Sequence, residues 1–128
     1  MVTLIDKLSP FFDRKTAHKY FEINRENLDD EDGFEALIEK SLFFNVHNNG
    51  YVGSIFVYIG EDGRFYLGGY AVRKRYKEVI EAIKQVSDMF YEIYAETRHK
   101  NAVYALMRGG FKWHDRDNKL LIKKGAIK

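Results

Sequence analysis

From Arg73 to Phe90, the apolar residues Tyr76, Val79, Ile80, Ile83, Val86 and Phe90 recur at near-ideal 3.6-residue spacing. That period predicts a helix with one buried stripe. Strand-like stretches flank it, Arg64 to Val72 before and Tyr91 to Thr97 after. A strand–helix–strand crossover implies one parallel strand pair with its helix packed on a sheet face. This unit commits the chain to a mixed helix-and-sheet architecture.

The remaining segments build outward from that unit. Leu42 to His47 reads as a strand, Asn48-Asn49-Gly50 as a hairpin turn and Tyr51 to Ile59 as a second strand. Asn and Gly suit such turns because they tolerate positive φ. Gly60-Glu61-Asp62-Gly63 is a further turn, leading into Arg64 to Val72. These three strands form an antiparallel meander. Upstream, Ser9-Pro10 reads as an N-cap followed by proline at the first helical position. The helix it opens runs to about Asn24 and buries Phe11, Ala17, Tyr20 and Phe21. A second helix starts near Asp30, which caps it, with Phe34, Leu37 and Ile38 as its core stripe. Downstream, residues 100–108 form a short helix closed by Gly109-Gly110, a C-cap signal. Phe111 to Asp115 and Lys119 to Lys123 then form a hairpin across Arg116-Asp117-Asn118. The fold class is α+β, a single domain over residues 1–128.

Composition narrows the function classes. The 128 residues contain no cysteine, which removes disulfides, thiolate zinc sites and a cysteine nucleophile. Four scattered histidines lack metal-ligand spacing, so no metal site is expected. There is no apolar run of transmembrane length and no signal-peptide pattern, so the chain reads as soluble and cytoplasmic. A net charge of +2 is too mild to imply nucleic acid. The charge is nonetheless unevenly placed. Residues 26–39 hold seven acids and no base, whereas 73–77 hold four bases and no acid. Acids suit the start of a helix, so the first run has a structural reading. The second does not, because cations in a first helical turn cost about 0.3–1 kcal/mol each. Pairs of Lys74 with Glu78 and Lys77 with Glu81 would offset part of that cost.

The segments YLGGYAVRKRYKEVIEAI (66–83), IYAET (93–97) and HKNAVYALMRGGF (99–111), together with the order of elements, resemble the GCN5-related N-acetyltransferase (GNAT) superfamily. The spacing of 72–111 also resembles bacteriophage-encoded acetyltransferase-like proteins, some associated with the virion. The resemblance implies a mixed, mostly antiparallel sheet with helices on both faces. It implies acetyl-CoA as cofactor and an amine on a small molecule or protein as acceptor. It also places the cofactor at Gly68, Gly69, Val72, Arg73, Lys74, Arg75 and Lys77. The family's Arg/Gln-x-x-Gly-x-Gly/Ala phosphate loop is replaced here by Arg73-Lys74-Arg75-Tyr76-Lys77. Phosphate would then be held by side-chain charge rather than by a glycine loop, or the run is a solvated helix face. Gly68-Gly69 inside a strand marks either the family's bulge or close packing against a helix or large aromatic.

For proton transfer the candidates are His99 and Tyr104 near the family's positions, Tyr104 only with a different helix register, and Glu96, Glu92 and Tyr66 as acceptors on the two central strands. Leu106 falls where the family usually has its tyrosine acid, and His99 where it has asparagine. Three functions compete. One is an acyl-CoA-dependent N-acetyltransferase. The second is a non-catalytic GNAT-like binding module with a protein partner, in the host cytoplasm or virion if phage-encoded. Nucleic-acid binding is the least favoured, and no membrane partner is expected.

Overall fold

The computed structural model describes residues 1–28 and 32–124. Seven strands form one sheet: β1 (Thr3–Asp6), β2 (Leu42–His47), β3 (Tyr51–Ile59), β4 (Phe65–Ala71), β5 (Glu92–Glu96), β6 (Lys112–Asp115) and β7 (Leu120–Lys124). Their spatial order is β1-β2-β3-β4-β5-β7-β6. All neighbours are antiparallel except β4 and β5, the parallel pair that the crossover requires. Helices α1 (Arg14–Ile23) and α2 (Phe34–Lys40) pack on one face, with a short 3-10 turn over Arg25–Asn27 between them. Helices α3 (Tyr76–Ser87) and α4 (Lys100–Arg108) pack on the other. The α+β class with helices on both faces is as expected.

Strand alternation sorts the side chains into two cores. On the α3–α4 face Val46, Ile55, Val57, Leu67, Ile93 and Leu121 meet Val79, Ile83 and Val86. On the α1–α2 face Phe43, Phe56 and Tyr70 meet Ala17, Phe21 and Phe34. The first core is aliphatic and the second is largely aromatic. Register under α1 is pinned by polar contacts as well. Tyr51 and Ser54 share a hydroxyl hydrogen bond of 2.7 Å, Ser54 donates to Asn45 Oδ1, and Asn45 Nδ2 donates to the Asp13 carbonyl. A one-residue slip would strand all of these buried groups without partners.

The N-terminus departs from the expected helix. Residues 3–6, where the sequence pattern marks no element, form an edge strand on β2. Ser9 and Pro10 lie in a turn, where Ser9 Oγ accepts from the Phe11 amide and the Asp6 carboxylate accepts from Leu8. Short polar side chains that bond the local backbone compete with helix formation in this way. The helix begins only at Arg14, capped by Asp13, whose two carboxylate oxygens accept from the Thr16 amide and hydroxyl. These bonds from Thr16 hold the Asp13 carboxyl below its usual range. Phe11, expected in the core, is 81% exposed as a result. The expected cap Asp30 lies outside the described residues; α2 begins at Phe34 after Gly33, which takes φ +91°.

The central helix is shorter than its apolar period. It starts at Tyr76 rather than Arg73, because residues 72–75 form a separate turn. The lysine–glutamate pairs expected along it are absent. Glu78 pairs with Arg75 at 2.7 Å, and Glu81 accepts the Val2 amide at 3.2 Å, tying β1 to α3. Beyond the C-terminal ends of α3 and α4, Lys123 donates to Ser87 Oγ, donates to the Gly109 carbonyl, and pairs with Asp88. A single partly buried ammonium thus satisfies groups at the ends of two helices.

Candidate functional site

The parallel pair that the crossover creates is barely a pair. β4 and β5 are in register only at Tyr66 and Tyr94. Beyond that level they diverge, and a groove of about 1030 Å³ opens between their C-terminal ends. It runs from the heads of α3 and α4 to the α1–α2 face of the sheet. Parallel α/β units place ligand sites at the carboxyl ends of their strands for this geometric reason.

The two strands enter their helices differently. After β4, the Val72 amide donates to the Val52 carbonyl and the chain turns sharply, with the Arg75 amide donating to the Val72 carbonyl at 3.0 Å. Lys74 sits at the third position of that turn with φ +70°. Type II turns require this conformation and give it to glycine; a side chain there costs about 1–2 kcal/mol. Strain held at a sparsely populated backbone conformation is a pointer to a functional site. After β5, by contrast, His99 is extended at φ −88°, and its amide donates to Thr97 Oγ1. Neither α3 nor α4 has a side-chain N-cap hydrogen bond. Two helix starts with uncapped positive ends therefore face one groove, beside Arg73, Lys74 and Lys100.

The groove gathers Gly68, Gly69, Val72, Arg73, Lys74, Glu96 and His99 from the expected site residues. It does not gather Arg75, Lys77 or Tyr104. Arg75 donates to the Asn48 carbonyl at 2.8 Å and pairs with Glu78, so its guanidinium clamps the β2–β3 hairpin to the head of α3. Tyr104 is 50% exposed, edge-on to Tyr76 at 6.4 Å, with the Arg108 guanidinium above it. Its place, two residues before Leu106 on α4, turns it away from the groove. Leu106 is buried and forms part of the wall.

The glycine pair resolves toward close packing. The β3–β4 register runs unbroken through Ile55–Gly69 and Phe56–Gly68, with no bulge between those strands. A Cβ on Gly68 would meet the Phe56 ring at 2.5 Å, and one on Gly69 would meet Ile55 Cδ1 at 2.7 Å and the Ser54 carbonyl at 2.8 Å. The absent side chains keep the β4 edge of the groove clear.

Two further candidate bases are placed elsewhere. Glu92 pairs across to Lys124 at the far end of β5. The Tyr66 hydroxyl donates to Asp62 at 2.6 Å, and this bond to the carboxylate, followed by burial, pushes the phenol up to about 12. The Tyr66 hydroxyl is thus engaged with Asp62. Tyr70 is likewise pushed up to about 12 by burial, and its hydroxyl donates to the Ala17 carbonyl. Sequence reasoning missed Thr97 and Tyr76 as groove residues: the pattern marks Thr97 only as the end of a strand and Tyr76 as part of a buried helix stripe, although Tyr76 is half exposed. It also missed the lining from α2 and from Asn24 and Leu28 after α1, because those residues arrive by tertiary packing.

Comparison with solved structures decides the architecture. The chain superposes on a GNAT-family acetyltransferase from Staphylococcus aureus with a TM-score of 0.62 over 97% of this chain and 99% of that one, at 15% identity. The fold is that of the GNAT acetyltransferases. Campylobacter jejuni N-acetyltransferase PseH, solved with acetyl coenzyme A, gives 0.65 at 13% identity over 97% and 99%. A GNAT-family acetyltransferase from Elizabethkingia anophelis with acetyl-CoA bound gives 0.65 at 10% identity over 96% and 97%. No family model and no curated protein matches the sequence. At these identities the likeness is one of GNAT fold, carried by topology rather than by motif. Among the described residues, no helix is long and apolar enough to cross a membrane.

Proposed function

We propose that the chain is an acyl-CoA-dependent N-acetyltransferase in which cations stand in for the glycine phosphate loop. The observation that carries this reading is the polarity of the groove. Arg73, Lys74 and Lys100 line the groove beside two helix N-termini; Glu61 and Glu96 also line it, as do Asp32 and Lys40, which pair with each other at 3.1 Å. A polyanionic cofactor and a cationic acceptor fit a lining that carries both signs.

The residues present suit acetyl-CoA. Arg73, Lys74 and the first amides of α3 would hold its phosphates, and Gly68 and Gly69 leave the strand edge free for its pantetheine arm. Bound acetyl-CoA supplies a thioester whose acyl carbon gains a C–N bond as the C–S bond breaks, releasing the thiol. The chain's own work is binding and proton handling. An ammonium has no lone pair, so the acceptor must first lose a proton, and the exposed Glu96 carboxylate at the splay is the group to take it. His99, at the α4 mouth, is the imidazole that can return a proton on the leaving side. Leu106 brings no acid, so the wall there excludes water without donating.

A non-catalytic GNAT-fold binding protein, of bacteriophage or other origin, is the second reading, favoured by Leu106 and by the missing glycine loop. Calorimetric titration with acetyl-CoA separates the two. Micromolar binding is expected, weakened about tenfold or more in the Arg73→Ala/Lys74→Ala double variant, the scale of charge-assisted phosphate contacts. The absence of binding at millimolar acetyl-CoA overturns the transferase reading.

A further inference from the structure

The outer sides of α3 and α4 carry cations and exposed apolar side chains. On α4, Lys100, Tyr104, Met107 and Arg108 are all exposed. Their spacing of four, three and one sets them along one ridge, about 12 Å long by helix rise. At the head of α3, Tyr76 is 43% exposed and Lys77 is exposed beside it. The Tyr76 and Tyr104 rings meet edge-on at 6.4 Å and so join the two helices. The Arg108 guanidinium lies 5.9 Å from the Tyr104 centroid. Carboxylates are not available to balance these charges. Helix α4 contains no acid, and on α3 Glu78 pairs with Arg75 while Glu81 accepts the Val2 amide.

Helix stability does not account for this placement. Arg108 suits a helix C-terminus, but Lys77 and Lys100 stand in first turns, where the positive helix end disfavours them. Neither lysine has an ion-pair partner among the described residues. The surface is continuous with the groove, because Tyr76 and Lys100 line its wall as well. Lys77, Tyr104 and Arg108 do not line it. A small cofactor seated in the groove therefore leaves an apolar, cationic ledge unused beside its mouth. Tyr, Met and Arg together are the residues that protein interfaces favour, and unbalanced cations select an acidic partner. The two rings engage each other and Arg108, so the ledge offers a mixed apolar surface rather than open faces for stacked bases.

We infer that the acyl donor is delivered on an acidic protein: a thioester on a phosphopantetheine arm enters the groove while carboxylates of the carrier dock on Lys77, Lys100 and Arg108 around Tyr104. This deepens the transferase reading and rests on it. The arm presents the same thioester as acetyl-CoA. The acyl carbon gains its C–N bond as the C–S bond breaks, the amine proton passes to Glu96, and the sulfur left on the carrier takes a proton from His99. The arm brings one phosphate instead of a pyrophosphate, a charge that Arg73 and Lys74 meet without a glycine loop. Lys77, Tyr104 and Arg108 are thereby partner-recognition residues that touch no reacting atom.

The test titrates the full chain calorimetrically with acetyl-CoA, with a small acidic acyl carrier protein in its acetylated form, and with the same carrier lacking the arm. A thymidine oligonucleotide serves as a polyanion that is not a protein. The acetylated carrier is expected to bind about tenfold more tightly than acetyl-CoA, by an increment that falls as salt rises. Tyr104→Ala and the Lys77→Ala/Arg108→Ala double variant are each expected to weaken the carrier about tenfold while changing acetyl-CoA binding by less than about twofold. A carrier bound no more tightly than acetyl-CoA, or bound equally by the native chain and both variants, overturns the proposal and leaves the transferase reading standing. Oligonucleotide binding that exceeds the carrier's and is lost in the same variants also overturns it, and makes the ledge a nucleic-acid surface. Equal binding of the carrier with and without its arm, by a chain that binds no acetyl-CoA, removes the transferase reading and delivery of the donor with it.

Discussion

The two faces of the sheet are packed from different materials. The α3–α4 face is closed by Val, Ile, Leu and Ala, and its helices are latched at their ends by Lys123. The α1–α2 face is filled by aromatic rings and a buried polar network, and part of it is open. Aliphatic side chains interdigitate without polar demands and give a dense, tolerant seal. Aromatic rings give area and defined planes, and with them surfaces that a ligand can use. The contrast teaches that the two faces seal the sheet with different materials, while the groove at the β4–β5 splay draws its lining from both.

Three substitutions break or sharpen that division. The largest effect is expected from Ile93→Ala. Ile93 is fully buried on β5, and its truncation leaves a cavity in the aliphatic core. Urea unfolding should show a loss of about 2–5 kcal/mol. A loss below 1 kcal/mol would mean that the face is less dense than its burial implies. Lys123→Met comes next. It removes the donor shared by Ser87 Oγ and the Gly109 carbonyl, and the acceptors left behind at the two helix ends should cost about 1–3 kcal/mol in the same assay. The smallest effect, of opposite sign, belongs to Lys74→Gly. Glycine adopts φ +70° without penalty, so unfolding should show a gain of up to about 1 kcal/mol. The same variant should bind acetyl-CoA more weakly than the native chain, because a groove cation is gone. Unchanged or tighter acetyl-CoA binding would show that the lysine does not hold phosphate.

Much of this was legible in the residues themselves. The 3.6-period stripe from Tyr76 to Val86 and the strands around it located the crossover and therefore the parallel pair, because periodicity is a local property that a buried face imposes. The turn signals at Asn49-Gly50 and Gly63 located the meander, and those three residues do take positive φ. The N-terminus read wrongly for a local reason. Ser9-Pro10 satisfies the rule for a helix start, yet Asp6 and Ser9 bond the nearby backbone and β1 finds its partner in β2, forty residues away. A strand of four edge residues has no period long enough to announce itself.

The site divides along the same line. The cations at 73–77 fall at the connection from β4 to α3, but which of them face the groove is a matter of three dimensions. Arg73 and Lys74 line it, while Arg75 is taken by the Asn48 carbonyl and Glu78. By itself the sequence determined the α+β class, the crossover and the run of cations after β4, since these follow from spacing and side-chain chemistry within one segment. That 72–75 form a turn and not the first turn of α3 was decided by the structure. Only the tertiary structure decided the splay of β4 from β5, the Phe56 ring that requires Gly68, the burial of Leu106 in the wall and the meeting of Tyr76 with Tyr104. Each of these is a contact between residues remote in the chain, where packing and register, rather than local propensity, set the free energy.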